Sequence, residues 1–418
     1  MELRDNSILR PRGELAGAFG WGDTAVLCAF AKQIHCGKLT LILPSGVTRQ
    51  FTGDEFGPVG VMTIHRPRAV RKLLLGGSIG FAESYMDGDW SSDDLPSLLE
   101  LAVRNQAVWR NALRGTALVA GLARIGHWCR RNSRRGSRRN IAAHYDLGNE
   151  FFQSWLDAGM TYSSGLFTNS NESLDQAQLR KFDRLIELLQ ISPQDHLLEI
   201  GTGWGEFALY VSRRVGCRVT AITISKAQYT ECRRKLALSG LSGGVEFRLQ
   251  DYRDIQGQFD RIVAVEMIEA VGEKYWPVFF DQVRQLLAPR GRAVLQAITI
   301  SDEAFEGYRR QVDFIQRYIF PGGMLPSRRR LTELARGVGL SWLSDFSHGG
   351  DYARTLACWA GRFDMAWPRI RALGFDERFR RAWQYYLGYC EAGFLTGRTD
   401  LIHVVLTQST NSAKGPIR

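Results

Sequence analysis

The chain has 418 residues, 44% hydrophobic and 23% charged, a balance that excludes a disordered chain, a collagen-like repeat and a disulfide-stapled miniprotein. No run approaches the ~18 consecutive apolar residues of a membrane span, and the mixed-charge start from Met1 to Glu14 lacks the apolar core of a secretion signal. The net charge is +11, and ten arginines with no lysine and no acid fall between Leu101 and Tyr145. Nearly all of the excess charge therefore lies in one patch, which suits an anionic partner such as lipid headgroups or nucleic acid.

Residues 1–103 read as a small α+β N-terminal domain. Gly37 to Gly46 alternates like a strand entering a turn, Val47 to Phe51 follows as its hairpin partner, and Ala69 to Leu75 and Leu95 to Val103 have helical character. Residues 104–140 form an arginine-rich linker whose apolar positions, from Trp109 to Trp128, make no single helical stripe. From 141 to about 408, β-rich runs at His196–Ile200, Cys217–Ile222, Val245–Leu249, Arg261–Val265 and Ala293–Ile298 alternate with helical stretches. That rhythm predicts a mostly parallel sheet covered by helices on both faces. Residues 409–418 are a polar, flexible tail. The seven cysteines are scattered, with no CxxC pair, so no metal is expected and a reducing cytoplasm fits.

The strongest local motif is Leu197-Leu-Glu-Ile-Gly-Thr-Gly-Trp-Gly205. A strand ends in a glycine-rich turn that opens a helix, the arrangement that lets backbone approach a nucleotide. Glu199 in the strand gives E-x-G-x-G-x-G through Gly201 and Gly203, which suits S-adenosylmethionine better than NAD. The next strand ends without the acid an NAD ribose wants, and Thr223, Ser225 and Gln228 offer neutral contacts instead. Gln250, Asp251 and Tyr252 end the third strand, where adenine would lie.

Around this core stand His144-Tyr-Asp-Leu-Gly-Asn149, Met160-Thr-Tyr-Ser163, Glu266-Met-Ile-Glu-Ala-Val-Gly272, Val294-Leu-Gln-Ala-Ile298, Tyr318-Ile-Phe-Pro-Gly-Gly323 and Asp351-Tyr352. As an ordered set they resemble the cyclopropane-fatty-acyl-phospholipid synthase family. The resemblance covers most of the chain, and Gly80 to Trp90 looks like that family's small domain. It implies a Rossmann-like class I methyltransferase core with a seven-stranded sheet. The reaction it implies is methylene transfer from S-adenosylmethionine to the cis double bond of an unsaturated phospholipid, through a carbocation that a bound bicarbonate deprotonates. Carried over by position, Tyr162 and Ser163 touch the methionine end of the cofactor. Glu269 orients the bicarbonate, Tyr352 donates to it and faces the cation, and the Ile298 backbone completes its binding.

Two positions depart from many bacterial members: Ser164 stands for Cys and Gln296 for His. Ser164 still presents a backbone amide, and Gln296 still hydrogen-bonds an anion, but Gln296 does not shuttle a proton. Glu266 adds a second carboxylate, three residues before Glu269 and on the same face if the segment is helical. It either assists the base or redirects proton removal, giving a methylene- or methyl-branched chain in place of a ring. The arginines, with Arg328 to Arg330, suit an anionic membrane surface. The expected location is therefore the inner face of a membrane, bound peripherally from the cytoplasm, with a homodimer implied by the family. A small-amine N-methyltransferase is the lesser alternative. No D/N-P-P-Y/F motif and no Pro-Cys pair occurs, so nucleic acid is not the expected partner.

Overall fold

A computed structural model describes residues 20–112 and 147–409. Most of the arginine-rich linker, the chain start and the tail beyond Ser409 lie outside the described residues. The chain divides into two compact units, one within residues 1–116 and one within 117–418. Among the described residues, no helix is long and apolar enough to cross a membrane.

The first unit is built on a four-stranded sheet ordered β2-β1-β3-β4. β1 (Cys36–Ile42) and β2 (Thr48–Thr52) form the expected antiparallel hairpin, β3 (Glu55–Ile64) runs parallel to β1, and β4 (Trp90–Ser91) closes the edge. β3 was not expected from the sequence, where its Gly57-Pro58 pair reads as a turn. The helix Leu95–Arg104 lies on this sheet through Leu98 and Leu101, close against Gly60 and Gly37. At its C-terminus the buried Asn105 acts as a clasp. Its Oδ1 accepts from the amides of His35 and Cys36, and its Nδ2 donates to the carbonyls of Cys36 and Leu101.

The second unit carries a seven-stranded sheet ordered β10-β11-β9-β8-β5-β6-β7. β5 (His196–Ile200), β6 (Arg218–Thr223), β7 (Val245–Leu249), β8 (Phe259–Val265) and β9 (Leu287–Ile300) are parallel. β10 (Leu340–Ser347) and β11 (Thr399–Gln408) join antiparallel at the β9 side. Side chains alternate between two cores. Leu198, Ile200, Ile262, Leu295 and Val404 face the helices Trp276–Leu286 and Arg328–Gly337. Leu197, Val219, Val263, Val294 and Val405 face Leu174–Leu189 and Glu206–Val215. Burial on both faces is why the strands read as continuous apolar runs. Strand order reverses at β5, and ligands of such sheets bind beyond the strand C-termini at that point.

The helices Gly349–Ala372 and Glu377–Leu395 pack against each other and enclose an aromatic cluster. Phe151, Trp155, Tyr162, Trp359, Phe363 and Trp383 meet there edge to face, the geometry that ring quadrupoles favour. Replacing Asn105 by Ala strands the two amides it serves in an apolar setting. The expected cost is about 3 kcal/mol of first-unit stability, measurable by urea unfolding of the full chain.

Candidate active site

The chain leaves β5 through Gly201, Thr202, Gly203, Trp204 and Gly205 into the helix Glu206–Val215. The three glycines have φ of 87°, 54° and 85°. A Cβ on Gly205 would lie 2.9 Å from both the Cys232 sulfur and the Phe247 ring, so the helix starts against the sheet only with glycine there. Above Gly203 the space is open, leaving bare backbone for a ligand. Trp204 Nε1 donates to Asn149 Oδ1 at 3.0 Å, which ties the end of the HYDLGN run to this turn; His144, Tyr145 and Asp146 lie outside the described residues.

Glu199 is buried beneath the turn, and one of its oxygens accepts from Thr202 Oγ1 at 3.0 Å. Burial pushes its carboxyl up to about 8. A desolvated acid beside open glycine backbone fits the cationic, donor-rich S-adenosylmethionine. That cofactor would supply an electrophilic methyl on a sulfonium, and Glu199, Gly201 and Gly203 are the residues that would hold it.

The neutral contacts expected along β6 and β7 are engaged locally. Thr223 Oγ1 donates to Gln228 Oε1 and accepts from the Ser225 amide, while Ser225 Oγ accepts from the Gln228 amide and caps the helix Lys226–Ser239. Asp251 takes Arg253 in a two-point ion pair, Gln250 donates to the Asp254 carbonyl, and the Tyr252 ring packs edge-on against Phe279. These loops are fixed before any cofactor arrives.

The residues expected to carry the reaction converge, but on a different centre from the one expected. The half-buried Glu266 carboxylate collects three donors. Oε1 accepts from the Ser164 amide at 3.0 Å and from Gln296 Nε2 at 2.8 Å, and Oε2 accepts from Tyr352 Oη at 2.6 Å. Glu269 Oε1 accepts from the Ile298 amide at 2.5 Å, and its Oε2 is buried without a partner. The expected bicarbonate donors are thus all occupied by two side-chain carboxylates, and the set does not fit a bound bicarbonate. The helical pairing of the two acids is also corrected. Glu266 sits at φ 49°, outside and before the helix Ile268–Val271.

Electrostatics separate the pair. Burial and the Glu266 charge push Glu269 up to about 8. Burial raises Glu266 too, but its three hydrogen bonds and the Lys181 charge oppose the rise. Three donors on Glu266 against one on Glu269 favour the ionised form at Glu266 and the protonated form at Glu269, the division seen when two acids share a site in unequal environments.

Three participants went unrecognised in the sequence. Lys181 is fully buried, donates to Ser163 Oγ at 2.7 Å, and is lowered to about 8 by burial against the attraction of Glu266, Asp157 and Glu199. Its signal was a lysine on the buried stripe of Leu174, Ala177, Gln178 and Leu185. Thr355 accepts from the Gly165 amide one turn after Tyr352. His403, a lone histidine in the apolar run Leu401–Leu406, meets Gln296 Oε1 at 2.8 Å. That oxygen only accepts, so the His403 Nε2–H donates, and the Gln296 amide must turn its NH2 to Glu266. Tyr162 shares a hydrogen bond with Tyr386 at 2.7 Å, and Gln178 donates to the Ser163 carbonyl.

Residues 132–404 match the mycolic acid cyclopropane synthetase family. The chain is 38% identical over 411 residues to the tuberculostearic acid methyltransferase UfaA1 of Mycobacterium tuberculosis, covering 94% of this chain and 92% of that protein. It is 35% identical over 359 residues to the cyclopropane-fatty-acyl-phospholipid synthase of Escherichia coli, covering 84% and 88%. Among solved structures, the mycolic acid cyclopropane synthase CmaA1 in complex with SAH and CTAB aligns with a TM-score of 0.61 at 29% identity, over 64% of this chain and 97% of that one.

The raised Glu199 carboxyl gives cofactor binding a sign. At pH 7 the free acid is largely protonated, and a cationic ligand favours its ionised form, so binding releases a proton and tightens as pH rises from 6 towards 8. Calorimetry of S-adenosylmethionine in buffers of different ionisation enthalpy should show that release, and Glu199→Gln should abolish it.

Proposed function

Because the chain belongs to the mycolic acid cyclopropane synthetase family of S-adenosylmethionine-dependent methyltransferases, we propose that it methylates the cis double bond of an unsaturated phospholipid acyl chain. A proton is then lost, and the acyl chain gains one CH2 as a cyclopropane ring. The observation that carries this reading is the pair of carboxyl groups, Glu266 and Glu269, set among aromatic faces beside the cofactor turn. The Tyr352 ring stacks on Phe394 with centroids 4.4 Å apart and meets Trp359 edge-on. An alkene is a weak nucleophile, so its methylation needs a dry cavity and close placement. The resulting carbocation is favoured by ring faces and by a fixed negative charge. A small-amine substrate has no need of such a lining.

A second reading has its own observation. A carboxylate at Glu266, where the family pattern implied a bound bicarbonate, fits a changed proton-loss step. A 1,2-hydride shift before proton loss would leave an exocyclic methylene chain, which a separate reduction would convert to a methyl branch. The relative named for tuberculostearic acid supports it.

Substrate access belongs to the same proposal. The enzyme meets phospholipid at an anionic membrane face from the cytoplasmic side, with the arginines of the linker supplying attraction of ~1 kcal/mol each at the surface. The N-terminal unit supports docking or a homodimer contact. Arg328, Arg329 and Arg330 contribute less than their sequence implied, because each faces an acid: Asp345, Asp302 and Glu333.

Expression in cells lacking such an enzyme, with methyl-deuterated methionine, tests the chemistry by mass spectrometry and proton NMR of the fatty acids. Two retained deuteriums together with upfield ring protons in the unlabelled control are expected. Vinylidene protons would favour the second reading, and unchanged acyl chains would reject both. Sedimentation with vesicles should require anionic lipid and weaken with salt; indifference to both would reject the docking step.

A further inference from the structure

We propose that the Glu266 carboxylate is the chain's own proton acceptor, taking the role that a bicarbonate ion would otherwise fill. The inference deepens the proposed alkene methylation and rests on it for the identity of the proton.

The first observation is occupancy. Three donors converge on Glu266 from separate parts of the fold: the Ser164 amide in the 161–165 segment, Gln296 on β9, and Tyr352 on the helix Gly349–Ala372. These were expected to grip a small carboxylate-like anion. They grip a carboxylate, and it is covalently part of the chain. A second anion beside it would meet a like charge at low dielectric with no free donor of that set.

The second observation is backbone geometry. Glu266 lies at φ 49°, in the left-handed region that a non-glycine residue occupies at a cost. The Glu266 amide donates to the Gln296 carbonyl at 2.7 Å, so the main chain and the side chain of Glu266 are both pinned to Gln296. The third is polarity. Gln296 is held between His403 on one side and Glu266 on the other, so its Nε2 faces Glu266 while its Oε1 meets His403.

The step balances in electrons and protons. The alkene π pair forms the new carbon–carbon bond as the carbon–sulfur bond breaks, and sulfur keeps that pair. The cation is left on the neighbouring alkene carbon. A carbon–hydrogen bond of the transferred methyl then breaks. Its pair closes the ring, or forms the exocyclic double bond if a hydride has shifted, and the proton passes to a Glu266 oxygen. Either product needs one base and no oxidant or reductant. Tyr352, Gln296 and the Ser164 amide hold the ionised base in place until it is used.

Glu266→Gly is the informative variant because it relieves the left-handed backbone and frees the three donors. Wild-type enzyme on oleoyl-phospholipid vesicles should turn over equally in CO2-free buffer and with added bicarbonate. Glu266→Gly should fall by ~100-fold or more in CO2-free buffer, within the usual range for losing a general base, and should regain activity as bicarbonate is added. A wild type that needs bicarbonate, or a Glu266→Gly variant at full rate without it, overturns the assignment. A readout independent of turnover separates this from a wrong substrate. Carbon-13 NMR of labelled bicarbonate should show no binding to the SAH-loaded wild type and binding to Glu266→Gly that Tyr352→Phe weakens. Bicarbonate bound by the wild type in a Tyr352-dependent way overturns the proposal even if no acyl substrate reacts.

Discussion

A half-buried carboxylate held by three donors from elsewhere in the fold is the constraint on which the catalytic unit turns. Desolvating such a group costs several kcal/mol unless fixed donors replace the lost water. Glu266 receives three, and none comes from its own segment. The sheet, the 161–165 segment and the helix Gly349–Ala372 must therefore all be in place before the charge is tolerable. The site is assembled by the same contacts that close the fold around it.

Charge is balanced across a wider shell. Lys181, inside the protein and bonded to Ser163, offsets Glu199, Glu266 and Asp157 without forming a direct ion pair with any of them. Burial displaces Glu199 and Glu269 upward, the Glu266 charge adds to the rise at Glu269, and the Lys181 charge opposes it at Glu199. Such displacement is a stability cost paid at a site prepared for a cationic cofactor.

The sequence displayed the sheet well because parallel strands buried on both faces leave uninterrupted apolar runs, and the glycine turn because its residue types have few other uses. The segments from His196 to Leu249 emerge almost at the expected limits. Neither β10 nor β11 was singled out: half-exposed residues such as Ser341, Ser344 and Asp345 give β10 no apolar run, while β11 has one and was still passed over. The site residues were found as a set, but their wiring was not. Whether Tyr352 serves Glu266 or Glu269 depends on a left-handed backbone angle at a non-glycine residue, which no local pattern announces. Thr223, Ser225 and Gln228, read from the sequence as cofactor contacts, also hold one another and cap the helix Lys226–Ser239, a second use that strand-end polarity alone does not reveal.

The backbone at Glu266 has a genetic corollary. Its φ of 49° is one that glycine adopts without strain, and both glutamate codons become glycine codons by a change at the middle base. An internal acid and an open cradle for a dissolved anion are thus one nucleotide apart, with no rearrangement of the main chain between them. A lineage that altered this residue could exchange a self-contained base for one drawn from the carbon dioxide pool, making acyl-chain modification answer to a cell's inorganic carbon.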